Sequence, residues 1–487
     1  MNPRLLLGAL LALTLVHMLQ YGACVQDDAF ISFRYAANLL DGHGLVYNPG
    51  ERVEGYTNFL WTVLLAAAMG LGANPVMASV LGGMASAVAL AWGGHRLAAE
   101  TLDRPLLGML VPAFVALDTG TTLEGMQGLE TVFYAALITW ALVWTGRELR
   151  DPGCAPVSAF LLGLAALTRP EGAVLFAGLG VGRLLMAGRL ERRLALGAAL
   201  FAVFVGGHLA FRLAYYGQPV PNTFYAKVGT ESAQVLRGGV YLLSFARAHL
   251  VLTSIGLGGL CLVFVRWRAV PAMLRVLGVV TGAYLFYVGA VGGDFKATYR
   301  FIIPVLVPLA VLGVHALASL AGTRARAAGV GALLLAAVVD LPRQVPAALA
   351  VAEARSADMD DRLLIGAWLR DNIPEDAVLA IHSAGSLPYA AGLVTIDMWG
   401  LSDPTIARRQ IEDMGAGTAG HEKTDYAYTF SRDPDLYLPE HDLLTAEPRR
   451  LPVPSDFPED FEARYAQVTV PLDGRHLNFF LRRDRAR

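Results

Sequence analysis

Apolar stretches recur through the first 340 residues and constrain the fold more than any other feature of the chain. A membrane-spanning helix needs about 20 apolar residues, with a range of roughly 17–25. Only 16% of the residues are charged and the mean hydropathy is +0.47, whereas a soluble protein carries about a quarter charged residues. The sequence therefore predicts a multi-pass membrane protein. The apolar windows are Leu5–Val25, Phe59–Leu71, Val76–His95, Leu106–Leu117, Val132–Thr145, Val157–Leu167, Ala173–Met186, Leu194–Leu213, Leu250–Val265, Val276–Val291, Phe301–Leu320 and Ala327–Val339.

The loop arginines predict which side of the membrane each loop occupies. Phe59–Leu71 has no flanking positive charge, and if it lies at the membrane interface the positive-inside rule holds for the remaining windows. This arrangement predicts about 11 transmembrane helices in a bacterial inner membrane, with a cytoplasmic N-terminus. The first window could also be a secretory signal peptide, but its length and the spans that follow favour a retained helix. The predicted cytoplasmic arginines are Arg96, Arg104, Arg147, Arg150, Arg183, Arg189, Arg192, Arg193, Arg266, Arg268, Arg275, Arg324 and Arg326.

The last part of the chain has a different composition. Residues 353–487 hold roughly 24 acidic and 15 basic residues, about half of all charges in little over a quarter of the chain. Helical spacing ended by Pro374 predicts a helix over Asp360–Ile373, and "AVLAIH", "LVTIDMWG" and His476–Leu481 predict short strands. We therefore predict a polytopic all-α membrane bundle at 1–342, followed by an extracytoplasmic α/β domain at 343–487.

The polar residues of the membrane part are concentrated in the loops that are predicted to lie on the outer side. An inert helix bundle has no reason to sort its polar residues in this way, so the asymmetry predicts an active site at the outer membrane surface. The segments are Gln26–Asn74, Asp118–Thr131, Thr168–Gly172, Tyr216–Gly229 and Gly292–Phe301. The candidate sugar-binding or acceptor-binding residues in them are Glu54, Tyr56, Glu124, Glu130, Asn222 and Asp294.

Two adjacent carboxylates, Asp27 and Asp28, follow the first window and begin a short amphipathic helix suited to the membrane surface. One aspartate would be explained as a helix cap. Two carboxylates at a low-dielectric boundary repel each other, which raises the pKa of one toward the range of a general base. Spacing alone leaves both the cap and the catalytic pair open.

The charged candidates outside this pair also have plain alternatives. Glu124 and Glu130 lie at predicted helix ends, where a carboxylate is costly unless it is paired or functional, but where a helix N-terminus also favours it. Arg169 lies in "TRPEG", which could be a simple turn. Both segments leave a functional and a structural interpretation side by side.

Lysine occurs at only three positions, and two of them, Lys227 and Lys296, lie in the outer segments. With Arg169 and Arg300 they predict a cationic pocket for a phosphate or anionic headgroup. The alternative is that these side chains extend from the membrane edge toward water.

Transfer chemistry outside the membrane needs an activated group that the membrane itself supplies. A sugar linked to a lipid phosphate meets this need, because its phosphate leaves beside cations and its acceptor hydroxyl needs a carboxylate base. The sequence has no zinc, P-loop or dinucleotide motif and no sign of a nucleic-acid partner. The predicted partners are a lipid-linked sugar donor, an envelope glycan acceptor and the lipid bilayer.

Five motifs together resemble the GT-C class of integral-membrane glycosyltransferases, and within it the terminal arabinofuranosyltransferases of mycobacterial cell walls. They are "DDAFISFRYAANLLDGHGLVYNPGERVEGYTNFLW", "GLET", "TRPEG", "PNTFYAK" and "GGDFKATYRF". The resemblance implies a polyprenyl-phosphate-sugar donor and an acidic pair in the first outer loop, one member of which is the base of an inverting displacement. It carries this role to Asp27 and Asp28, with Asp27 slightly favoured. We expect no metal or other cofactor to be required.

Two other classes of function stay open at this stage. A lipid-linked-sugar flippase or transporter would need ionisable groups near the middle of the bilayer, whereas here the charges lie at the helix ends. A non-catalytic envelope scaffold would leave the acidic pair unexplained.

Overall fold

A computed structural model describes residues 2–151, 153–188, 191–227, 229, 232–320, 322–412 and 414–485. Helices account for about three quarters of the first 372 residues. In chain order they are α1 Pro3–Leu19, α2 Asp27–Leu40, α3 Phe59–Gly70, α4 Pro75–Thr101, α5 Pro105–Gly108, α6 Leu110–Leu117, α7 Thr119–Glu124, α8 Thr131–Arg150, α9 Val157–Thr168, α10 Gly172–Ala187, α11 Arg192–Tyr216, α12 Asn222–Lys227, α13 Ser232–Ala248, α14 Leu250–Val265, α15 Ala272–Ala290, α16 Ile303–Ala318 and α17 Thr323–Asn372.

The apolar helices make the chain an integral membrane protein. Three described helices, α4, α11 and α15, are long and apolar enough to cross a bilayer, and α13 with α14 forms a further pair bent by 112°. The predicted windows coincide largely with helices, but many of these are shorter than a full span, so the number of about 11 spans stays a prediction. Helix α13 was missed because Gln234, Arg237 and Arg247 interrupt its apolar pattern.

Helices α2 and α3 belong to the segment predicted to stay outside the bilayer. Helix α3 has 12 residues and is about 18 Å long at 1.5 Å per residue, well short of a hydrocarbon core of roughly 30 Å. Its length agrees with a helix that does not span. Its place at the membrane interface stays a prediction.

The residues after α17 form a mixed sheet with short helices. In chain order the elements are β1 Val378–Ile381, α18 Ser386–Ala391, β2 Val394–Asp397, α19 Pro404–Ala407, α20 Tyr426–Ser431, β3 Leu436–Leu438, β4 Leu444–Thr445, α21 Phe461–Arg464, β5 Tyr465–Leu472 and β6 Arg475–Arg482. Strands β1, β2 and β3 are parallel, in the order β2-β1-β3, and β6 lies antiparallel to β3 and pairs with β4 and β5. The strands predicted around β1, β2 and β6 are confirmed, as is the helix that ends before Pro374.

Helix α17 connects the helical part to the sheet without a break. It contains Pro342 and Pro346, so the boundary predicted between residues 342 and 343 falls inside one continuous helix. Nothing in the chain path marks a linker at this point, and the two-domain division stays a prediction.

A buried arginine of α2 holds the first outer segment against the sheet. The Arg34 guanidinium donates to the carbonyls of Tyr47 (2.8 Å), Pro388 (3.0 Å) and Leu393 (2.6 Å). The Tyr47 hydroxyl donates to the carbonyl of Ala384 at 2.6 Å. Buried carbonyls require such partners, so these bonds fix α2 relative to the loop that follows β1.

Candidate active site

A cavity of about 560 Å³ lies between the helical part and the carboxyl ends of the parallel strands. All five predicted outer segments contribute to its wall, together with residues 382–384, 399, 401 and 419–421 of the sheet part. Its size is within the roughly 300–1,000 Å³ that is usual for ligand pockets. The predicted site residues that line it are Asp27, Asp28, Tyr56, Glu130, Arg169, Lys227, Asp294 and Arg300.

Neither aspartate of the pair caps α2. The N-cap is Gln26, which makes no side-chain capping bond, and Asp27 and Asp28 are the first two helical residues. The interpretation of the pair as a simple cap is therefore wrong. Both side chains reach the cavity instead.

Asp27 is held by the C-terminal part of the chain. Its Oδ1 accepts hydrogen bonds from the Ser386 backbone N–H (2.7 Å) and hydroxyl (2.6 Å). Its Oδ2 accepts none from the described residues. A side chain at Gly385 would overlap Asp27, so only glycine permits this close approach. Asp27 therefore has one fixed oxygen and one oxygen available to a ligand.

Burial raises the pKa of Asp27, although the Arg362 charge and the two Ser386 bonds act in the opposite direction. Repulsion from Asp28 contributes less than any of these. The raised pKa was predicted for one member of the pair, but its main cause was not. Desolvation is the main cause, and the neighbouring Asp28, which is paired with Lys296, contributes only a small part.

Asp28 forms an ion pair with Lys296, with Oδ2 and Nζ 2.9 Å apart. The lysine side chain is only 3% exposed, whereas that of Asp28 is 41% exposed and borders the cavity. The Lys296 charge holds the pKa of Asp28 well below its usual range, with smaller contributions from Lys227 and Arg300. Asp28 therefore stays ionised and is a weak base.

Lys227, the last residue of α12, lines the cavity. It makes no hydrogen bond or ion pair with a described side chain, while Arg300 is paired with Asp294 and Arg169 with Glu130 at 3.2 Å. Burial lowers the pKa of Lys227, and the nearby Asp28 carboxylate opposes this shift. Lys227 is thus the cation most available to an incoming anion.

Glu130 occupies the N-cap position of α8 without making a capping bond. Its carboxylate accepts from Asn58 Nδ2 at 2.9 Å and pairs with Arg169, which also contacts Glu171 at 2.6 Å. The segment "TRPEG" is therefore more than a turn, because it supplies an arginine clamped by two carboxylates at the cavity wall.

Four predicted site residues, Glu54, Glu124, Asn222 and Lys296, lie behind the cavity wall. Glu54 is bonded to Arg212 at 2.5 and 3.1 Å, and Glu124 accepts from Thr298 at 2.5 Å. The Asn222 amide donates to the carbonyls of residues 400, 401 and 403. These contacts support neighbouring elements, and a direct contact of these four residues with a ligand stays a prediction.

Sequence reasoning missed several residues of the wall. His208 stands alone in an apolar window, a pattern typical of a packed core residue, yet it borders the cavity beside Arg212, with Nε2 2.9 Å from the arginine Nη2. An arginine inside an apolar window was a usable signal, since charge there is costly. Ser386 carried no signal, because 359 residues separate it from Asp27.

Comparison with known proteins supports the resemblance that the motifs indicate. The chain is 32% identical to a terminal beta-(1->2)-arabinofuranosyltransferase of Mycobacterium tuberculosis over 281 residues, 52% of this chain and 42% of that protein. It is 27% identical to the protein of the same name in Corynebacterium glutamicum, over 60% of this chain and 48% of that protein. The matches thus cover less than half the length of these relatives. A family model described as a domain of unknown function (DUF8728) matches residues 351–480.

The fold is that of a known membrane protein. The crystal structure of ArnT from Cupriavidus metallidurans bound to undecaprenyl phosphate matches with a TM-score of 0.61 and 14% identity. The match covers 98% of this chain and 97% of that one. The predicted likeness to GT-C glycosyltransferases is confirmed by this fold and by the two sequence relatives.

Proposed function

We propose that this chain is a membrane glycosyltransferase that moves a sugar from a polyprenyl-phosphate donor to a glycan acceptor of the cell envelope. The relatives named as arabinofuranosyltransferases support this activity and favour arabinofuranose as the sugar. The structural neighbour bound to undecaprenyl phosphate supports a lipid-linked donor. The distribution of loop arginines supports a position of the cavity on the outer face of a bacterial plasma membrane.

The cationic side of the cavity is where the donor phosphate binds. Lys227 meets the phosphate directly, because no described carboxylate or hydroxyl occupies its ammonium group. Arg300 and Arg169 add positive charge from the cavity wall, and Lys296 adds it from behind Asp28. Preorganised cations of this kind stabilise the charge that develops on a leaving phosphate.

Asp27 is the general base, and its unoccupied Oδ2 is the observation that carries this assignment. A base works best when its pKa approaches the operating pH, and the pKa of Asp27 is raised while that of Asp28 is lowered. Asp28 keeps Lys296 in place.

The reaction is a single displacement at the anomeric carbon. The acceptor oxygen attacks from the side opposite the phosphate, and its proton passes to Oδ2 of Asp27. The bond between the anomeric carbon and the phosphate oxygen breaks, and its electron pair leaves with polyprenyl phosphate. The configuration at the anomeric carbon inverts. The charge of the leaving phosphate is met by lysine and arginine, so we propose no metal requirement.

Mass spectrometry of envelope glycans tests this function in cells. We expect cells without the gene to lack one terminal sugar, and the double variant Asp27→Asn, Asp28→Asn not to restore it although the protein still inserts. The wild-type gene is the control that must restore the sugar. Normal glycans from the double variant would refute the enzymatic assignment.

A further inference from the structure

A second cavity, of about 650 Å³, adjoins the first and shares residues with it. We call it the outer cavity. Three aromatic side chains, Phe295, Trp399 and His421, line both cavities and form the wall between them. His421 is the centre of this wall, with ring centroids 4.9 Å from Phe295 and 4.1 Å from Trp399. A ligand in the outer cavity would therefore lie next to the cavity that Asp27 and Asp28 line.

The position of the outer cavity in the sheet marks it as a ligand site. Trp399 follows β2, and Glu440 and His441 follow β3, so the cavity lies beyond the carboxyl ends of parallel strands. Ligands of open α/β sheets bind at this edge, because the loops there carry side chains on a rigid support.

The chemistry of the lining favours a neutral, hydroxylated ligand. No described lysine or arginine lines the outer cavity, so it offers no permanent positive charge to a phosphate. Two of its three carboxylates are already balanced, since Glu422 pairs with Arg237 at 3.1 Å and Glu440 with Arg362 at 3.3 Å, and the third, Glu412, is exposed. The aromatic wall offers apolar faces, and the exposed Thr418 and His441 offer polar atoms. Such a mixture suits a sugar, which has both C–H faces and hydroxyl edges.

Glu440 also connects the outer cavity to the base. Both its oxygens accept from the Ser383 hydroxyl, at 2.8 and 2.9 Å, and its partner Arg362 is the charge that most lowers the pKa of Asp27. A ligand that contacts Glu440 therefore touches the ion-pair partner of Arg362, the residue whose charge lowers the pKa of Asp27.

We propose that the outer cavity binds the acceptor oligosaccharide, with Trp399 stacking on the sugar next to the one that receives the new residue. The terminal hydroxyl then passes the aromatic wall to reach Asp27, while the donor stays in the first cavity. This assignment rests on the proposed glycosyltransferase function and extends it by separating the two substrates.

Steady-state kinetics of the full chain in lipid nanodiscs tests this separation. The probes are a polyprenyl-phosphate arabinofuranose as donor and a short arabinofuranose oligosaccharide as acceptor. We expect Trp399→Ala to raise the KM for the oligosaccharide about 10- to 100-fold and the KM for the donor by less than about twofold, since the stacking surface serves one substrate. Trp399→Phe should restore most of the acceptor affinity.

Two further variants keep the test independent of folding. Trp368→Ala removes an indole of the same domain that borders neither cavity, and it should leave both KM values unchanged. Ala416→Trp fills the outer cavity from an exposed position and should raise only the acceptor KM. An unchanged acceptor KM in Trp399→Ala and Ala416→Trp, or an equal rise for both substrates, would overturn the proposal. If the wild type itself transfers no sugar, it is the glycosyltransferase function that fails.

Discussion

The Ser386 hydroxyl allows a quantitative test of Asp27 as the base. Ser386→Ala removes the 2.6 Å hydroxyl bond to Oδ1 and leaves the 2.7 Å backbone bond in place. A hydrogen bond to a charged group contributes about 1.5–3 kcal/mol, and one pKa unit corresponds to about 1.4 kcal/mol. Because one donor remains, we take the lower end of this range. The loss destabilises the carboxylate, so the pKa of Asp27 should rise by about one unit.

The assay is the pH dependence of kcat/KM for sugar transfer. The base must be ionised, so activity is lost as the pH falls through the pKa of Asp27, and in Ser386→Ala this loss should begin about one pH unit higher. At pH values above both pKa values the two rates should approach each other.

Two control variants and one refuting result distinguish the loss of the Ser386 hydrogen bond to Asp27 from a general loss of folding. Ser386→Thr, which keeps a hydroxyl, should return the profile toward that of the wild type. Ser402→Ala removes an equivalent serine–aspartate bond, 3.0 Å to Asp397, and should leave the acidic limb in place. A uniform fall in rate with an unshifted acidic limb in Ser386→Ala would refute the assignment of Asp27 as the base.

Further predictions concern the phosphate site, the interface and metal dependence. Lys227→Gln should lower transfer by about 10²–10³-fold, with Lys227→Arg partly active, because a preorganised charge is lost from the leaving phosphate; unchanged kinetics would contradict this role. Arg34→Leu should lower the free energy of unfolding by about 3 kcal/mol or more, since three buried carbonyls lose their donor. The control is a change at the exposed Arg370, where Arg370→Leu should alter the free energy of unfolding by less than about 0.5 kcal/mol. Thermal unfolding of both variants measures the difference. Chelation with EDTA should leave the transfer rate unchanged, and a loss restored by added Mg²⁺ or Zn²⁺ would show that the cationic side chains are insufficient.

Local sequence patterns predicted local structure well. The α/β character of the last part follows from three local patterns. These are the charge-rich tail, Pro374 after a helical repeat, and the apolar runs at 378–381 and 394–397. The sorting of polar segments to one side predicted that they meet, and they do line one cavity. Each of these inferences needs only neighbours within a few turns or strands.

Contacts between distant segments were beyond the reach of the sequence. Ser386 and Arg362 set the environment of Asp27 from more than 330 residues away, and no local pattern points to either. For the same reason the raised pKa was assigned to repulsion within the pair, because the Lys296 partner of Asp28 was not visible. Apolar windows alone do not determine the number of spans, because several apolar helices are shorter than a bilayer is thick.

Transfer by the purified protein tests the central claim most directly. The measurement follows a labelled sugar from a polyprenyl-phosphate donor to an oligosaccharide, together with the release of polyprenyl phosphate. We predict equal amounts of the two products from the wild type and a fall in kcat of about 10²–10⁴-fold in Asp27→Asn, with little change in the KM for the donor. Transfer by Asp27→Asn at the wild-type rate would contradict the account.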